Sequence, residues 1–350
     1  MTIRVGIIGF GLSGRVFHAP FVAHQAGMTL SYICSSSPEK VHQYWPDVAV
    51  VSDAEALIQS DDIDLVVITT PNELHYAQAK LALESGKHVL LEKPAVTELE
   101  QMEALCRLAR EQNRVLSVYQ NRRFDGDFLR LKALVETQEL GQLKQLESRF
   151  DRFRPEVQER WREQPGVGTG IFWDLGPHVM DQALALLGTP DWVQADIGTL
   201  REGGSAADTF DVTLAYGKRR VYLGASLFEA GAMRRYNARF DGGSWHCYDL
   251  DAQEDALRAG ELPGQPDFAS TKQRAACYLA PSQHDVTATD EAISAGRYVD
   301  FYQQLTVAIQ GQGEAPVTLK QACELVYAMT LAEHSARTGE RQSWQYQSAF

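Results

Sequence analysis

The sequence predicts two domains of different class. Residues 1–122 are expected to form an α/β domain with a doubly wound parallel sheet, and residues 123–350 an α+β domain with an open, mostly antiparallel sheet. Short apolar runs alternate with helical stretches in the first part, as in parallel sheets whose strands are joined by helices. From about residue 210, apolar residues instead recur at every second position, which is typical of antiparallel strands. A chain of 350 residues is also too long for one ordinary core.

The composition is that of a globular protein, with 44% hydrophobic and 23% charged residues. The N-terminal residues lead directly into a strand, which leaves no room for a signal peptide, and no apolar run approaches the roughly 20 residues of a membrane span. Five scattered cysteines argue against a zinc site or a disulfide framework and suit the cytoplasm. A net charge of −13 opposes binding to nucleic acid. We therefore expect a cytoplasmic protein without a metal site, with neither nucleic acid nor a membrane as partner.

A glycine-rich turn follows the first predicted strand, residues 3–8. It reads Gly9-Phe10-Gly11-Leu12-Ser13-Gly14, and a helix is expected from about Arg15. Glycines at this spacing permit a tight turn and a close backbone approach, so that a pyrophosphate can rest on the first amides of the helix. The motif therefore predicts a dinucleotide site of the Rossmann type, the alternative being a glycine-rich turn without a ligand.

The end of the second strand, Leu30–Cys34, indicates which dinucleotide is bound. An NAD-selective fold places an acidic residue at this point to hold the ribose 2′-hydroxyl. This chain has Ser35-Ser36-Ser37 there, with Lys40 close behind. Hydroxyls and a lysine suit a 2′-phosphate, so NADP(H) is favoured and NAD(H) remains possible. The alternative is a serine-rich cap for a helix that begins near Pro38.

Polar residues follow the next three predicted strands, residues 64–70, 88–91 and 115–119. Because the carboxyl ends of parallel strands meet at one edge, these residues are expected to line a ligand site beside the glycine turn. Lys93 is held extended by the proline after it, although the sequence does not decide whether that bond is cis. For any single residue the alternative is a strand-end hydrogen bond. The candidates are Thr70, Asn72, Glu92, Lys93 and Asn121.

A second cluster of reactive side chains lies in the second half of the chain. The segment Asp174-Leu175-Gly176-Pro177-His178 is expected to open a helix, with Gly176 as its N-cap and Pro177 as its first residue. His178 would then lie next to the positive helix end, which favours a neutral imidazole that can accept a proton. The alternative is a capping aspartate beside a structural histidine.

The remaining elements of the second domain are read from periodicity. We predict a helix over residues 128–136, a strand over 143–153, a hairpin over 210–227, further strands near 193–200, 236–240 and 244–249, and a loop over 260–282. Two helices, about 298–310 and 319–337, close the chain, the second being a candidate to pack back on the first domain. One face of the sheet would pack on helices. The other is a candidate subunit interface, which predicts a homodimer or homotetramer.

Taken together, these motifs resemble the Gfo/Idh/MocA oxidoreductases over nearly the whole chain. The pattern consists of the glycine turn, Thr70-Pro71-Asn72, Glu92-Lys93-Pro94, Asn121-Arg122-Arg123 and Asp174-x-x-x-His178. More narrowly, Phe17-His18-Ala19-Pro20, residues 150–155, Trp161-Arg162-Glu163 and residues 251–255 resemble the NADP-dependent scyllo-inositol dehydrogenase branch.

The resemblance implies roles for individual residues. Lys93, Asp174 and His178 would be the catalytic set. The cofactor would be held by the glycine turn, the three serines with Lys40, and a further group. That group comprises Thr70, Asn72, His75, Glu92, Lys93, Asn121, Trp161 and Arg162. Substrate-contact positions vary across the family and are not carried over; Arg152, Arg154, Trp161 and Tyr236 are candidate pocket residues, the alternative for each being a structural role.

The implied reaction is hydride transfer between nicotinamide and a ring hydroxyl or ketone of a cyclitol or sugar. His178 would take the hydroxyl proton, Asp174 would orient the imidazole and stabilise its cationic form, and Lys93 would stabilise the developing alkoxide. The alternatives are a dehydrogenase of the same fold acting on an aldose, deoxysugar or dihydrodiol, and a non-catalytic dinucleotide-binding sensor. The sensor is disfavoured because Lys93 and His178 are both present.

Overall fold

The computed structural model describes residues 2–159, 163–265, 267–270 and 273–350. Its first domain is built on a six-stranded, all-parallel sheet with the order β3-β2-β1-β4-β5-β6. This order reverses direction at β1, which is the arrangement of dinucleotide-binding doubly wound folds. The strands are β1 (Ile3–Ile8), β2 (Met28–Cys34), β3 (Ala49–Val51), β4 (Leu65–Ile68), β5 (His88–Leu91) and β6 (Leu116–Val118).

Helices cover both faces of this sheet, and the strands are accordingly apolar at nearly every position. In β4 and β5, for example, seven of the eight residues are buried, as expected for parallel strands covered on both sides. The helices of this part are α1 (Ala19–His24), α2 (Pro38–His42), α3 (Ala54–Gln59), α4 (Asn72–Glu84) and α5 (Leu99–Glu111), and a π-helical turn (Gly14–His18) precedes α1.

The second domain has a nine-stranded sheet in which β7 and β10 pair in parallel and the other neighbours are antiparallel. The strand order is β14-β13-β12-β11-β7-β10-β9-β8-β15. Its strands are β7 (Leu143–Arg149), β8 (Trp192–Gly198), β9 (Thr209–Tyr216), β10 (Arg219–Ser226), β11 (Arg234–Phe240), β12 (Gly243–Tyr248), β13 (Arg274–Ser282), β14 (Asp285–Ala292) and β15 (Gln342–Ser343). The predicted fold class, a doubly wound sheet followed by an open and mostly antiparallel one, is confirmed.

The helices of the second half pack on one face of this sheet or return to the first domain. They are α6 (Gly126–Thr137), α7 (Gly170–Leu187), α8 (Gln253–Ala259), α9 (Tyr298–Ile309) and α10 (Leu319–Thr338). Tyr298 and Tyr302 of α9 belong to the core of the first domain. α10 belongs to both cores, with Cys323 in the first and Met329 in the second. The C-terminal helices thus join the two sheets.

Four local predictions were wrong. β3 was not expected, because it is only three residues long and half exposed. The predicted strand over 143–153 ends at Arg149, and beyond it the chain keeps main-chain hydrogen bonds to residues 224–227 and an isolated bridge between Phe153 and Phe228. The supposed loop over 260–282 contains β13, which pairs with the equally unpredicted β14. These two strands are largely exposed, so they lack the regular apolar alternation that identifies a half-buried strand.

The fourth error concerns α7, which begins at Gly170 and carries Pro177 in its interior. A proline inside a helix removes one hydrogen bond and normally costs about 3 kcal/mol. Here the apolar residues before it, Ile171 to Trp173 and Leu175, are buried. Their burial favours continuing the helix through the proline, although proline is usually found at a helix start. Asp174 and His178 therefore lie one turn apart on the same helix.

Candidate functional site

The glycine turn has the shape that a pyrophosphate requires. Gly9 has a φ of 98°, and a Cβ added there would lie 2.8 Å from Thr69 Oγ1, while one on Gly14 would overlap the carbonyl oxygen of Gly9. A Cβ on Gly11, by contrast, would meet nothing within 4 Å. Close packing therefore requires glycine at positions 9 and 14, whereas Gly11 borders open space. The loop thus fits the phosphates of a dinucleotide.

The helix after the glycine turn begins earlier than expected, and part of it is π-helical, which makes it wider than a regular α-helix. Helical residues start at Leu12, which is 43% exposed, whereas Phe10 is buried. The π-helical turn over Gly14–His18 then leads into α1. Such turns are rare inside helices and occur frequently at functional sites.

The serines after β2 are accessible at the far end of the turn. Ser36, Ser37 and Lys40 are exposed, and Ser37 stands at the N-cap of α2 without a capping side-chain bond. Its hydroxyl is therefore not committed to the capping role that was the alternative. No carboxylate stands among residues 35–38.

One neighbouring pair was not expected from the sequence. Arg15 Nη1 donates to Tyr44 Oη at 3.0 Å, and the Tyr44 ring lies 6.3 Å from that of Phe10. This contact places a cation beside the glycine turn.

The residues after β4 connect this edge to the second domain. Thr70 Oγ1 donates to Gln78 at 2.7 Å, and Asn72 Nδ2 donates to the carbonyl of Gly168 at 3.2 Å. His75 is 1% exposed, and its ring nitrogens lie within 3.2 Å of the carbonyl oxygens of residues 70, 94 and 95. Both ring nitrogens of His75 thus face main-chain oxygens of the protein, and its cofactor contact stays a prediction.

Lys93 joins the two domains. Its Nζ donates to the main-chain oxygen of Asp174 at 2.9 Å and to Asp174 Oδ1 at 3.2 Å. The Lys93–Pro94 peptide bond is cis. The two side chains are 16% and 29% exposed, so the pair is accessible yet shielded from bulk water. The end of β5 and helix α7 therefore bring a cation and a carboxylate together at the carboxyl edge of the first sheet.

His178 follows Asp174 by one helical turn and is 5% exposed. Burial lowers the pKa of His178 well below its ordinary value, and the positive charges of Lys93, Arg122, Arg235 and Arg152 lower it further. The predicted cause, a position at the helix N-terminus, was wrong, since His178 lies in the interior of α7. The predicted state, a neutral imidazole, is the one that this environment favours. Within the described ranges, its Nδ1 has no hydrogen-bond partner.

Two buried arginines near His178 were not predicted as site residues. Arg122 donates to Asp125 at 3.3 Å and to Glu254 at 2.5 Å, and Arg235 donates to Ser148 and Gln182, both at 2.6 Å. A bulge between Arg234 and Tyr236 turns Arg235 towards the helices. An arginine in an alternating strand normally faces solvent, so the sequence carried no signal for this inward turn.

Glu92 is held from several sides. Its Oε2 accepts from the main-chain N–H of Lys93 at 2.8 Å, and its Oε1 accepts from the Ser13 hydroxyl and lies 3.0 Å from His18 Nε2. Burial acts to raise the pKa of Glu92, but His18, Ser13 and the charge of Lys93 outweigh it and bring the pKa to about 2. The carboxylate is therefore ionised at any working pH.

The predicted substrate residues lie in different environments. Arg152 is partly buried, and burial lowers its pKa while the nearby charge of Asp174 opposes that effect. This agrees with a place beside the catalytic cluster. Tyr236 is 1% exposed in the core of the second domain, and its hydroxyl donates to Gln182 at 2.9 Å. Its substrate contact stays a prediction. Trp161 and Arg162 lie outside the described residues.

Two further properties concern the described ranges as a whole. Within them, no three His, Cys, Asp or Glu side chains are grouped so that they could hold a metal ion. Among the same residues, no helix combines the length and apolar character needed to cross a membrane.

Comparison with known proteins assigns both halves of the chain. Residues 3–120 match a family model described as an oxidoreductase family with an NAD-binding Rossmann fold, and residues 128–246 match the GFO/IDH/MocA C-terminal domain. The uncharacterized oxidoreductase YdgJ of Escherichia coli is 42% identical over 96% of this chain and 97% of its own. The scyllo-inositol 2-dehydrogenase (NADP(+)) IolW of Bacillus subtilis is 37% identical over 96% of this chain and 94% of its own. The structure of the oxidoreductase YPO2259 of Yersinia pestis matches with a TM-score of 0.95 at 36% identity, over 99% of this chain and 98% of that one.

Proposed function

Because this chain belongs to the Gfo/Idh/MocA family of NAD(P)-dependent oxidoreductases, we propose that it oxidises a ring hydroxyl of a cyclitol or sugar, or reduces the ketone. The favoured activity is that of a scyllo-inositol 2-dehydrogenase using NADP+. The observation that carries the proposal is the cluster of Lys93, Asp174 and His178 at the strand edge next to the glycine turn. When bound, the nicotinamide supplies or accepts the hydride, and the residues of the chain handle the proton and the charge.

His178 is suited to accept the hydroxyl proton. Its burial and its cationic neighbours keep the pKa of the imidazole low, so that the ring is neutral when substrate arrives. A positioned base of this kind contributes about 10²–10⁴-fold to the rate. Transfer of the proton makes the ring cationic, and the carboxylate of Asp174 one turn earlier in α7 would stabilise that charge.

Lys93 is suited to stabilise the oxygen that loses this proton. Its two bonds to Asp174 hold the ammonium in place, so that little reorganisation is needed when negative charge develops on the substrate. Glu92 holds the backbone of Lys93 in place, because its carboxylate accepts a hydrogen bond from the Lys93 amide N–H. Polarisation of the substrate by Lys93 would require no metal ion.

The preference for NADP(H) rests on the residues after β2. Exposed hydroxyls at Ser36 and Ser37 and the ammonium of Lys40 can hold a 2′-phosphate, and they offer no carboxylate for a free 2′-hydroxyl. The relative IolW carries NADP(+) in its name, which supports the same preference.

The test is a spectrophotometric assay of the purified protein. NADP+ and NAD+ are offered in turn with cyclitols, aldoses, deoxysugars and a dihydrodiol, and formation of reduced nicotinamide is followed by absorbance. Turnover of scyllo-inositol with NADP+ at the highest kcat/KM supports the proposal. A higher kcat/KM for an aldose would assign another substrate class to the same site. Dinucleotide binding without turnover of any substrate would favour a sensor.

We further infer that the outer face of the nine-stranded sheet is a subunit interface. On β10, Val221 and Leu223 face the helices and are 0% and 1% exposed, whereas Tyr222 between them faces outwards and is 40% exposed. A dimer or tetramer mass in light scattering, reduced by Tyr222→Glu, is expected. A monomeric mass at micromolar concentration would contradict this inference.

A further inference from the structure

A chain of three buried side chains runs behind Lys93, and two of them, His18 and Tyr302, have no role in the mechanism given above. It consists of Glu92 at the end of β5, His18 in the π-helical turn and Tyr302 on α9. Glu92 Oε1 lies 3.0 Å from His18 Nε2, and His18 Nδ1 lies 2.6 Å from Tyr302 Oη. His18 and Tyr302 are completely buried, and Glu92 is 8% exposed. The chain therefore crosses from the glycine turn to a C-terminal helix without reaching solvent.

The carboxylate of Glu92 can only accept, so His18 Nε2–H donates the hydrogen bond that joins these two side chains. Tyr119 and Tyr302 both lie 3.1 Å from the carbonyl oxygen of Phe17. Burial raises the pKa of both tyrosines, so each keeps its single proton. Both hydroxyls can donate to this carbonyl, but one donor is enough for it, and the shorter distance of 2.6 Å favours the Tyr302 proton lying towards His18 Nδ1. His18 Nδ1 then accepts from Tyr302, and His18 Nε2–H donates to Glu92.

Glu92 thus receives donors from three elements. The Ser13 hydroxyl comes from the glycine turn, the His18 ring from the π-helical turn, and the Lys93 amide from the strand end itself. The titratable groups that face Glu92 are His18, Lys93, Tyr119 and Tyr302. A buried carboxylate with these donors holds its neighbours in fixed positions, since moving any one of them would cost a charged hydrogen bond.

We propose that His18 and Tyr302 are positioning residues which orient Glu92, so that the cofactor loop at Ser13 and the backbone of Lys93 are held in a fixed relation. His18 acts directly on Glu92, and Tyr302 acts through His18 by fixing which ring nitrogen carries the proton. The kinetic consequences of this inference rest on the proposed dehydrogenase function. The protonation of His18 does not depend on that function.

The first experiment compares two tyrosine variants. Tyr302→Phe removes the donor to His18, whereas Tyr119→Phe removes a buried hydroxyl from the same Phe17 carbonyl and keeps the Tyr302 hydroxyl beside His18. Tyr302→Phe is expected to lower kcat by about tenfold, the effect of one lost buried hydrogen bond, and to raise the KM for the dinucleotide. Tyr119→Phe is expected to change both by less than about threefold. Equal effects of the two variants would overturn the proposal.

The second experiment reads the charge on Glu92 through the pH profile. In His18→Leu the carboxylate loses a donor while its burial remains, so its pKa rises and activity is lost as the pH falls through the mildly acidic range. In His18→Gln the amide N–H can replace Nε2–H, and the acid limb should return towards that of the wild type. Adding Glu92→Gln to His18→Leu should remove the new limb. An unshifted limb in folded His18→Leu protein would overturn the proposal.

The third measurement needs neither turnover nor ligand. In protein labelled with ¹⁵N-histidine, the ring nitrogens of His18 should show the neutral tautomer with its proton on Nε2, and this tautomer should be weakened in Tyr302→Phe. A proton on Nδ1 in the wild type would overturn the proposal. If no substrate is turned over, the dehydrogenase function fails while this spectrum still tests the chain, so the two failures are distinguishable.

Discussion

Replacing Lys93 by methionine removes the charge of the catalytic cluster while keeping most of the side-chain volume. The Lys93 ammonium is 16% exposed and is held by Asp174 at 2.9 and 3.2 Å, so its charge is only partly screened by water. At an effective dielectric constant of about 20, a unit charge about 4 Å from a developing alkoxide is worth about 4 kcal/mol. Loss of one preorganised donor costs about 10²–10³-fold in kcat. We therefore expect Lys93→Met to lower kcat by that factor.

Lys93→Met should also shift the pH profile of activity, which a loss of stability alone would not do. After burial, the charge of Lys93 is the largest cause of the lowered pKa of His178. Without that charge the pKa of His178 rises. Because the base must be neutral to accept a proton, the acid limb of kcat/KM should move to higher pH.

A matched control is available at Lys87, a second buried lysine. Lys87 Nζ donates to the carbonyl oxygens of Ser60 and Ile63 at 2.6 and 3.0 Å, away from the catalytic cluster. Lys87→Met should lower stability and leave the pH profile of kcat/KM unchanged. Turnover by Lys93→Met within about threefold of wild type, in stopped-flow and steady-state assays, would refute the assigned role of Lys93.

Three further predictions address the cofactor loop, the dinucleotide preference and the buried ion pair between Arg123 and Asp181. Gly14→Ala places a Cβ against the Gly9 carbonyl, so dinucleotide affinity measured by fluorescence titration should fall by more than about tenfold; unchanged affinity would contradict the close approach. Ser36→Asp supplies an acceptor for a free 2′-hydroxyl and repels a 2′-phosphate, so the ratio of kcat/KM values should shift towards NAD+; an unchanged ratio would contradict the NADP assignment. Asp181→Asn leaves Arg123 without the carboxylate that it contacts at 2.7 Å through both Nε and Nη2. Chemical denaturation should then show a loss of about 3–5 kcal/mol, and a loss below about 1 kcal/mol would contradict it.

The first domain could be predicted closely because its signals are local. Parallel strands covered on both faces are continuous apolar runs, and each run here is followed by a glycine or a polar strand end. The ligand edge could be predicted for the same reason. The carboxyl ends of parallel strands lie at one edge of the sheet, whatever path the connecting helices take. β3 was not predicted because three residues are too few to show the apolar pattern of a strand.

The second domain was harder to predict because its decisive features depend on contacts distant in sequence. Pro177 and Gly176 carry the usual signals of a helix start, but the buried residues before them continue the helix. Tyr236 has a polar group and was a reasonable pocket residue, yet the bulge beside it places its ring in the core. Neither outcome can be read from a window of neighbouring residues.

The site itself was predicted in part. Lys93 and Asp174 lie together, and His178 follows on the same helix, because the strand end and α7 meet at the domain boundary. His18 belonged to the motif of residues 17–20, but its contact with Tyr302 could not be predicted, since the two residues are 284 positions apart. Contacts of this kind follow from tertiary packing and not from local pattern.

The measurement that tests the central claim most directly is isotope transfer. The wild-type protein is incubated with NADP+ and scyllo-inositol deuterated at its ring carbons, and the reduced dinucleotide is analysed by mass spectrometry. Hydride transfer at the cluster of Lys93, Asp174 and His178 predicts reduced dinucleotide that carries deuterium in wild type, with the yield lost in Lys93→Met. Reduced dinucleotide without deuterium, or bound dinucleotide that stays oxidised with every cyclitol and aldose offered, would contradict the account.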